Sequence, residues 1–440
     1  MSIFKAYDIR GTYPDQLNED IAKKISIAYA YWSKAKKVIV GYDMRPESPS
    51  LFKAVCEGLI SQGVNVVNIG LCSTPINYFA NGHSGSDGSI MITASHNGPG
   101  WNGLKMCLKG AVPMSYEKGL KEIREMVESD NLPSPAPDKG SVVDLDYSEN
   151  YGKSVQRQVK FSQKPKIVID YGNAMGIKEM EPIEHLFDII PLYKEYDGTF
   201  PNHEANPLDT STLKELQKQV VAHKADFGAA FDGDADRCGF VDNTGKVVSM
   251  DLITALIAED LLEQERRQTI LFDLRSSKAV PEAIEKAGGI AKMTRVGHAL
   301  IKEDMRRENA SFAGELSGHY YFRDNFFSES QARVVVILSN LLEKHGKSLE
   351  ELIRPLRKYS NTGEINRPIA SKDAVLSKIK ETYKDAHQYQ LDGLTVEYKN
   401  WWCNVRGSNT EPKLRIFIEA EDEELLNEKR EEVLALIDSV

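Results

Sequence analysis

Residues Gly88–Lys105, GSIMITASHNGPGWNGLK, carry the reading of the whole chain. The apolar run Ile90-Met91-Ile92 has the composition of a buried strand. It stops at Thr93-Ala94-Ser95-His96-Asn97 and a Gly-Pro-Gly turn. Ser95 is thereby expected on a loop at the carboxyl end of a strand, where open α/β sheets bind ligands. An isolated loop serine is inert by default. As a hydrolase nucleophile Ser95 would need a Gly-x-Ser-x-Gly elbow, but Thr93 and Asn97 flank it. Its neighbour His96 offers no help if the backbone is extended, because adjacent side chains then diverge. The remaining reading is a phosphoserine, which requires a cation and hydrogen-bond donors from elsewhere in the chain.

At 440 residues, a length of ~150 per domain suggests about three domains. With 41% apolar and 27% charged residues, the chain is of ordinary globular composition. No run reaches the ~18 apolar residues of a membrane span, and the first residues lack a signal-peptide core. The five cysteines, Cys56, Cys72, Cys107, Cys238 and Cys403, have no Cys-x-x-Cys spacing. That pattern argues against zinc and disulfides and for a reducing cytoplasm. A net charge of −10 disfavours nucleic acid and anionic membranes as partners. An anionic substrate would need a local basic pocket.

Around Ser95, strand and helix signals alternate. Lys37–Asp43 and Val64–Gly70 read as strands, Leu51–Gln62 as a helix, and Cys72-Ser73-Thr74-Pro75 as the opening of another helix. This β-α-β-α-β order predicts crossover units and a parallel or mixed sheet. Arg10 and Arg45, taken alone, read as ordinary solvated arginines. The Pro-rich segment Asn131–Lys139 precedes a boundary near residue 145.

A second unit opens on the strand Lys166–Asp170 and culminates in Asp232-Gly233-Asp234-Ala235-Asp236-Arg237. Three carboxylates at alternate positions repel one another unless a cation sits among them. An EF-hand is excluded, since its sixth position is Arg237 and its twelfth Asn243. An oxygen-only set with open positions suits Mg²⁺, and a phosphate on Ser95 would complete it. Arg237 is placed to contact a phosphoryl oxygen.

The helix Leu252–Leu262 and the strand Thr269–Asp273 introduce a third unit, which carries Arg295, His298 and the loop Gly314-Glu315-Leu316-Ser317-Gly318-His319. Glu315 and Ser317 offer an acceptor and a hydroxyl to a sugar. His298 and His319 remain open between loop and functional residues. The three units together suggest a degenerate internal repeat. The last ~75 residues turn to alternating strands at Leu394–Tyr398 and Leu414–Glu419 with flanking helices Ser371–Ala386 and Glu423–Ile437, an α+β pattern. Between the strands, Arg406, the Gly407 backbone, Ser408 and Thr410 form a candidate phosphate cradle in a loop. No P-loop or Gly-x-Gly-x-x-Gly pattern supports a nucleotide.

Four motifs in this order, Thr93–Asn97, Asp232–Arg237, Gly314–His319 and Arg406–Pro412, resemble the active-site loops of the α-D-phosphohexomutases, and Tyr7-Asp8-Ile9-Arg10-Gly11 fits as well. The resemblance runs nearly end to end. It implies three tandem related α/β domains with mixed sheets plus a smaller C-terminal α+β domain, around a central cleft, divided here as 1–145, 146–250, 251–365 and 366–440.

It further implies that Ser95 is the phosphorylated serine and that Asp232, Asp234 and Asp236 hold Mg²⁺ with it. Glu315 and Ser317 would take sugar hydroxyls, and Arg406, Ser408, Asn409 and Thr410 the distal phosphate. Arg237, Arg295 and His298 would join the substrate site. Arg10, Lys105 and His319 would handle protons or stabilise the phosphoryl group, Arg10 electrostatically because its pKa exceeds ~12. The expected activity interconverts hexose 6-phosphate and hexose 1-phosphate through a 1,6-bisphosphate, which would also act as an activator. Leu316, where glucosamine-specific members carry Gln, favours a phosphomannomutase or a dual phosphomannomutase/phosphoglucomutase, as a monomer or small homo-oligomer. A sugar-phosphate phosphatase or a non-catalytic sensor are the readings outside this class.

Overall fold

The computed structural model describes residues 3–369, 371–407 and 413–440. Four sheets follow one another along the chain. In the first, the spatial order is Ile9–Thr12, Trp101–Leu108, Gly88–Ile92, Lys37–Tyr42, Asn65–Leu71 and Val142–Asp144. Lys37–Tyr42 runs parallel to both Asn65–Leu71 and Gly88–Ile92, while Trp101–Leu108 is antiparallel to Gly88–Ile92 and to Ile9–Thr12. The sheet is mixed, as the β-α-β order predicts. Ser73 caps the expected helix, Thr74–Ser84, by accepting from the Ile76 N–H, with Pro75 in the first turn.

The next two units repeat one arrangement. Lys166–Asp170 pairs in parallel with Phe227–Phe231, which turns back into antiparallel Cys238–Asp242. Thr269–Asp273 pairs in parallel with Phe312–Gly314, which turns back into antiparallel Tyr320–Phe322. Gly88–Ile92 and Trp101–Leu108 have the same relation in the first unit. The loops that hold Ser95, the aspartate triplet and Glu315 are therefore topologically equivalent. Each joins a buried parallel strand to an antiparallel one, and each emerges at the carboxyl end of the parallel pair, where side chains can face a ligand.

The fourth sheet orders Ser360–Asn361, Lys413–Ala420, Trp401–Gly407, Leu394–Glu397 and His387–Tyr389, with Ile365–Pro368 also against Lys413–Ala420. Two sequence expectations need correction here. Asn404–Gly407 belongs to the strand Trp401–Gly407, paired antiparallel with Lys413–Ala420, so Arg406 is presented by a strand end and not by a loop. The helix expected over Ser371–Ala386 spans Lys372–Thr382, and the strand His387–Tyr389 follows it. Both strands are set by pairing within the sheet, His387–Tyr389 with Leu394–Glu397 and Trp401–Gly407 with Lys413–Ala420, which the propensity of a single segment does not register.

A single hydrophobic cluster crosses the first three units, joining Phe79 and Met91 to Phe231, Phe240, Phe272 and Tyr320. The fourth sheet packs its own cluster around Val396, Val405, Ile416, Ile418 and Val433. Its attachment to the third unit is polar in part: Glu419 accepts from the Lys278 N–H at 2.9 Å, and Lys278 Nζ donates to the Tyr398 carbonyl at 2.8 Å. Among the described residues, no helix is long and apolar enough to cross a membrane. Because the two cores are separate, Ile416→Ala is expected to weaken the C-terminal module by ~2–5 kcal/mol while the larger core keeps its own transition. Denaturant unfolding followed by far-UV signal and, in a Trp32→Phe/Trp101→Phe background, by Trp401/Trp402 fluorescence checks this, and one coincident shift of both probes would contradict it.

Candidate active site

The loops of all four units open onto one cleft of about 1350 Å³, lined by Ser95, Asp236, Glu315, His319 and Arg406 among others. Ser95 is buried and lies in the left-handed region at φ 53°. The backbone is therefore not extended, and the expectation that Ser95 and His96 diverge fails: Ser95 Oγ sits 3.3 Å from His96 Nδ1. Ser95 Oγ donates to Asp232 Oδ2 at 3.0 Å. Arg237, burial and Arg10 push the His96 imidazole well below its usual range, so it is neutral near pH 7.

The strained loop has an internal clamp, Arg45. This side chain is 1% exposed and donates to four carbonyls: Ser95 at 2.8 Å, Asn97 at 2.6 Å, and Gly98 and Trp101 at 3.0 Å each. Its Nε is held by Asp43 Oδ2 at 3.0 Å. The reading of Arg45 as solvated is thus wrong, for a reason that lies 50 residues away along the chain. A local signal does exist. Asp43-Met44-Arg45 follows its strand as Asp273-Leu274-Arg275 follows another, and in both the aspartate accepts from the arginine N–H and Nε. Arg10 was likewise read as solvated. It lies on the strand Ile9–Thr12, half-buried, donating to Asn97 Oδ1 at 2.6 Å and Asp8 Oδ2 at 2.5 Å.

Asp232, Asp234 and Asp236 are fully buried, with one oxygen of each within 4.8 Å of the others. Gly233 permits the loop to reach Ser95, since a Cβ there would lie 2.3 Å from the Ser95 carbonyl. Burial and the other two aspartates push the Asp232 carboxyl well up. For Asp236 burial acts in the same direction, but Lys105 and His319 overcome it and hold the carboxyl well below the usual range. Lys105 Nζ contacts Asp234 Oδ2 at 2.6 Å and Asp236 Oδ2 at 2.5 Å. Burial opposes its charge, yet the two carboxylates raise its pKa, so it is an ammonium. Asp234 Oδ1 is buried without a hydrogen-bond donor. An oxygen-only cluster with an unpartnered buried carboxylate oxygen fits a hard divalent cation.

The third loop turns through Gly318 at φ +87°, where a Cβ would meet the Cys238 carbonyl at 2.9 Å. It brings Ser317 Oγ 3.2 Å from Glu315 Oε2 and 3.0 Å from His319 Nδ1, while Tyr321 donates to Glu315 Oε1. His319 Nε2 approaches Asp236 Oδ1 at 3.2 Å, tying this loop to the aspartates. His298 stacks on His319 at 6.3 Å between centroids, and its imidazole is pushed well down by burial, Lys302 and Lys105. Arg237 Nε is 3.8 Å from Asp232 Oδ2, and Arg295 lines the cleft.

Arg406 enters from the fourth unit, nearly buried and paired with Glu364. The Glu364 carboxylate also lies 3.4 Å from Arg415 Nη1 and 4.0 Å from Arg275 Nη1. Three guanidinium groups thus converge on one anion. Sequence reasoning picked out Arg406 alone, because Glu364, Arg275 and Arg415 belong to different elements. Ser408, Asn409 and Thr410 lie outside the described residues.

Profiles of known families match the chain in four consecutive pieces. They are the phosphoglucomutase/phosphomannomutase alpha/beta/alpha domains I, II and III, over residues 1–133, 146–245 and 249–359, and the C-terminal domain of the same proteins over 364–436. A phosphomannomutase of Methanocaldococcus jannaschii is 39% identical over 445 aligned residues, covering 99% of this chain and 98% of that protein. A phosphomannomutase of Escherichia coli is 35% identical, covering 99% of each, and the phosphohexose mutases of Xanthomonas campestris are 36% identical over 99% of this chain and 98% of theirs. The crystal structure of a phosphoglucomutase/phosphomannomutase family protein from Burkholderia thailandensis superposes with a TM-score of 0.92 at 28% identity, covering 100% of this chain and 97% of that one.

If the aspartate cluster takes a divalent cation, Lys105→Met exposes that demand. Two buried carboxylates lose their counter-charge, at a cost of ~3–5 kcal/mol. Thermal unfolding in chelator should show this loss, and millimolar Mg²⁺ should raise the variant's Tm more than that of the unaltered protein. Equal Mg²⁺ shifts in the two proteins would speak against a cation among these aspartates.

Proposed function

The chain belongs to the phosphoglucomutase/phosphomannomutase family, and from that membership we propose that it interconverts hexose 6-phosphate and hexose 1-phosphate, with mannose as the preferred sugar. The observation that carries the reading is the 3.0 Å contact of Ser95 Oγ with Asp232, in a cluster to which three units contribute side chains. A hydroxyl so placed is suited to carry a phosphoryl group. Phosphoryl transfer depends mainly on positioning and on charge stabilisation, and both are abundant here.

In the proposed cycle phospho-Ser95 passes its phosphoryl group to the free hydroxyl of a hexose monophosphate. The Oγ–P bond breaks as the sugar O–P bond forms, and the hydroxyl proton leaves to a base. The resulting 1,6-bisphosphate turns within the cleft and returns its other phosphoryl group to Ser95. Bisphosphate added from solution rephosphorylates Ser95 after any loss, which makes it an activator. Asp232, Asp234 and Asp236 would hold Mg²⁺, which supplies charge neutralisation next to the phosphoryl oxygens.

Lys105 and Arg10 act as cations. Both are held protonated by nearby carboxylates against the cost of burial. Base function then falls to an imidazole: His319 lies between Asp236 and Ser317, and the His96 ring, which its surroundings keep neutral, is 3.3 Å from Ser95 Oγ. Glu315 and Ser317 orient sugar hydroxyls, while Arg237, Arg295 and His298 complete the substrate wall. Arg406 holds the phosphate that is not being transferred, displacing Glu364 from its guanidinium. Mannose is favoured by the relatives that are 35–39% identical over the full chain and named phosphomannomutases. The five cysteines are free and buried, which favours a reducing cytoplasm.

Peptide mapping of protein purified from cells should find phosphate on Ser95, and Ser95→Ala should lose turnover by several orders of magnitude. Phosphate found only elsewhere, with Ser95→Ala active, sinks the assignment. For sugar choice, kcat/KM should be higher for mannose 1-phosphate than for glucose 1-phosphate; equal values would point to a dual-specificity mutase.

Arg406→Ala removes a contact made in the ground state and in the transition state alike, so KM for the monophosphate should rise more than kcat falls. The bisphosphate should also escape more often, so activity decays over turnovers and recovers on its addition. A normal KM with no response to bisphosphate removes Arg406 from phosphate binding.

A further inference from the structure

Behind the aspartate loop, on the side away from the cleft, lies a fully buried carboxylate that the mechanism does not use. Glu179 belongs to the short helix Gly176–Met180 of the second unit. Its Oε2 accepts from Ser73 Oγ at 2.7 Å, and Ser73 is the N-cap of Thr74–Ser84 in the first unit. Its Oε1 accepts from the Gln331 and Ala332 N–H groups, each at 3.1 Å, which begin the helix Gln331–His345 of the third unit. Tyr151 donates to the same oxygen. One carboxylate thus holds the amino ends of two long helices against its own helix. Burial pushes this carboxyl above the usual range, and the donors from Tyr151, Ser73, Ala332 and Gln331 pull against that shift.

Those same helix starts grip the backbone of the aspartate loop. The Met175 N–H, preceding Gly176–Met180, donates to the Gly233 carbonyl at 3.2 Å. The Thr74 N–H donates to the Asp234 carbonyl at 2.9 Å, and Thr74 Oγ1 to Asp234 Oδ2 at 2.5 Å. Gln331 Nε2 donates to the Asp236 carbonyl at 2.5 Å. Three loop carbonyls are thereby held by three helix starts, and all three helices are tied together by Glu179.

We propose that Glu179 is a positioning residue for the proposed metal site: by locking three helix starts from three units it sets the spacing of Asp232, Asp234 and Asp236, and with it their affinity for a divalent cation. The inference rests on the reading of that triplet as the Mg²⁺ site. A group that only stabilised the fold would change the melting temperature and leave cation affinity alone.

Calorimetric titration of the full-length protein with MgCl₂ separates the two. Glu179→Gln keeps the shape but points an amide donor at donors on one side. It is expected to weaken Mg²⁺ binding at least tenfold and to lower kcat, with KM for hexose phosphate within twofold. Tyr151→Phe removes a donor to Glu179 and a contact to the capping Ser330 but leaves all three contacts to the aspartate-loop carbonyls in place, and should keep Mg²⁺ affinity within twofold whatever its melting temperature. Gln331→Met cuts the link to Asp236 while leaving Glu179 in place, and should reproduce the loss of affinity even if Glu179→Gln fails to fold. Wild-type Mg²⁺ affinity in folded Glu179→Gln, or in Gln331→Met, overturns the proposal. Asp234→Asn binding Mg²⁺ as the wild type does would instead overturn the metal reading, and this inference with it.

Discussion

Mutual repulsion among three buried carboxylates is the constraint on which the rest of this structure depends. Asp232, Asp234 and Asp236 lie within a few ångströms of one another and out of water. In low dielectric such a cluster persists only if positive charge and donors are brought to it from outside the loop. The chain brings them from everywhere: Lys105 and Ser95 from the first unit, Arg237 from the loop's own end, His319 from the third unit. The aspartates need partners that no single unit can provide, so the three α/β units must pack as one body. Their common hydrophobic core is the apolar counterpart of that demand.

Repetition explains how three separate folding units aim their loops at one place. In each, a parallel strand pair ends in polar residues and the second strand of the pair turns back antiparallel. Sheet geometry then delivers every such turn to the same edge of its unit. Chemistry differs from turn to turn while the scaffold does not: a hydroxyl in the first, carboxylates in the second, a carboxylate, a hydroxyl and an imidazole in the third. The fourth unit has another topology and its own core, and it presents Arg406 from a strand end. A separately packed module that carries an anion-binding arginine can adjust to a ligand without disturbing the aspartates.

Charge in this protein is held in layers. The aspartates face Lys105 and Ser95, and behind the loop backbone Glu179 holds the helix starts that grip it. Arg45 performs the corresponding task for the Ser95 loop, with four carbonyls in place of helix starts. In both cases a buried ionisable group organises backbone and not substrate. Such groups are costly to bury unless every polar atom finds a partner, so they specify one loop conformation strongly.

Much of this was legible in the order of the residues. The strands Lys166–Asp170 and Thr269–Asp273, the capped helix after Ser73 and the glycine-flanked polar loops follow from periodicity and turn chemistry, which are properties of neighbouring residues. So does the need of the aspartate triplet for positive charge, since spacing alone places like charges together. Arg45, Arg10, Glu179 and the Arg275–Glu364–Arg406 cluster were not legible in this way. Apart from Arg406, which its Gly and hydroxyl neighbours single out, and Arg10, which its motif singles out, each is an ordinary charged residue in its local context, and Arg45 and Arg10 taken alone read as solvated. What makes them consequential is burial against partners distant in the chain: Arg45 with the Ser95 carbonyl, Glu179 with Ser73 and Gln331, Arg406 with Glu364. The sequence by itself determined which elements form and which chemistry each loop offers, because those depend on adjacent side chains. Only the tertiary structure decided which charges lose their water and what replaces it, because desolvation is set by everything that packs around a group.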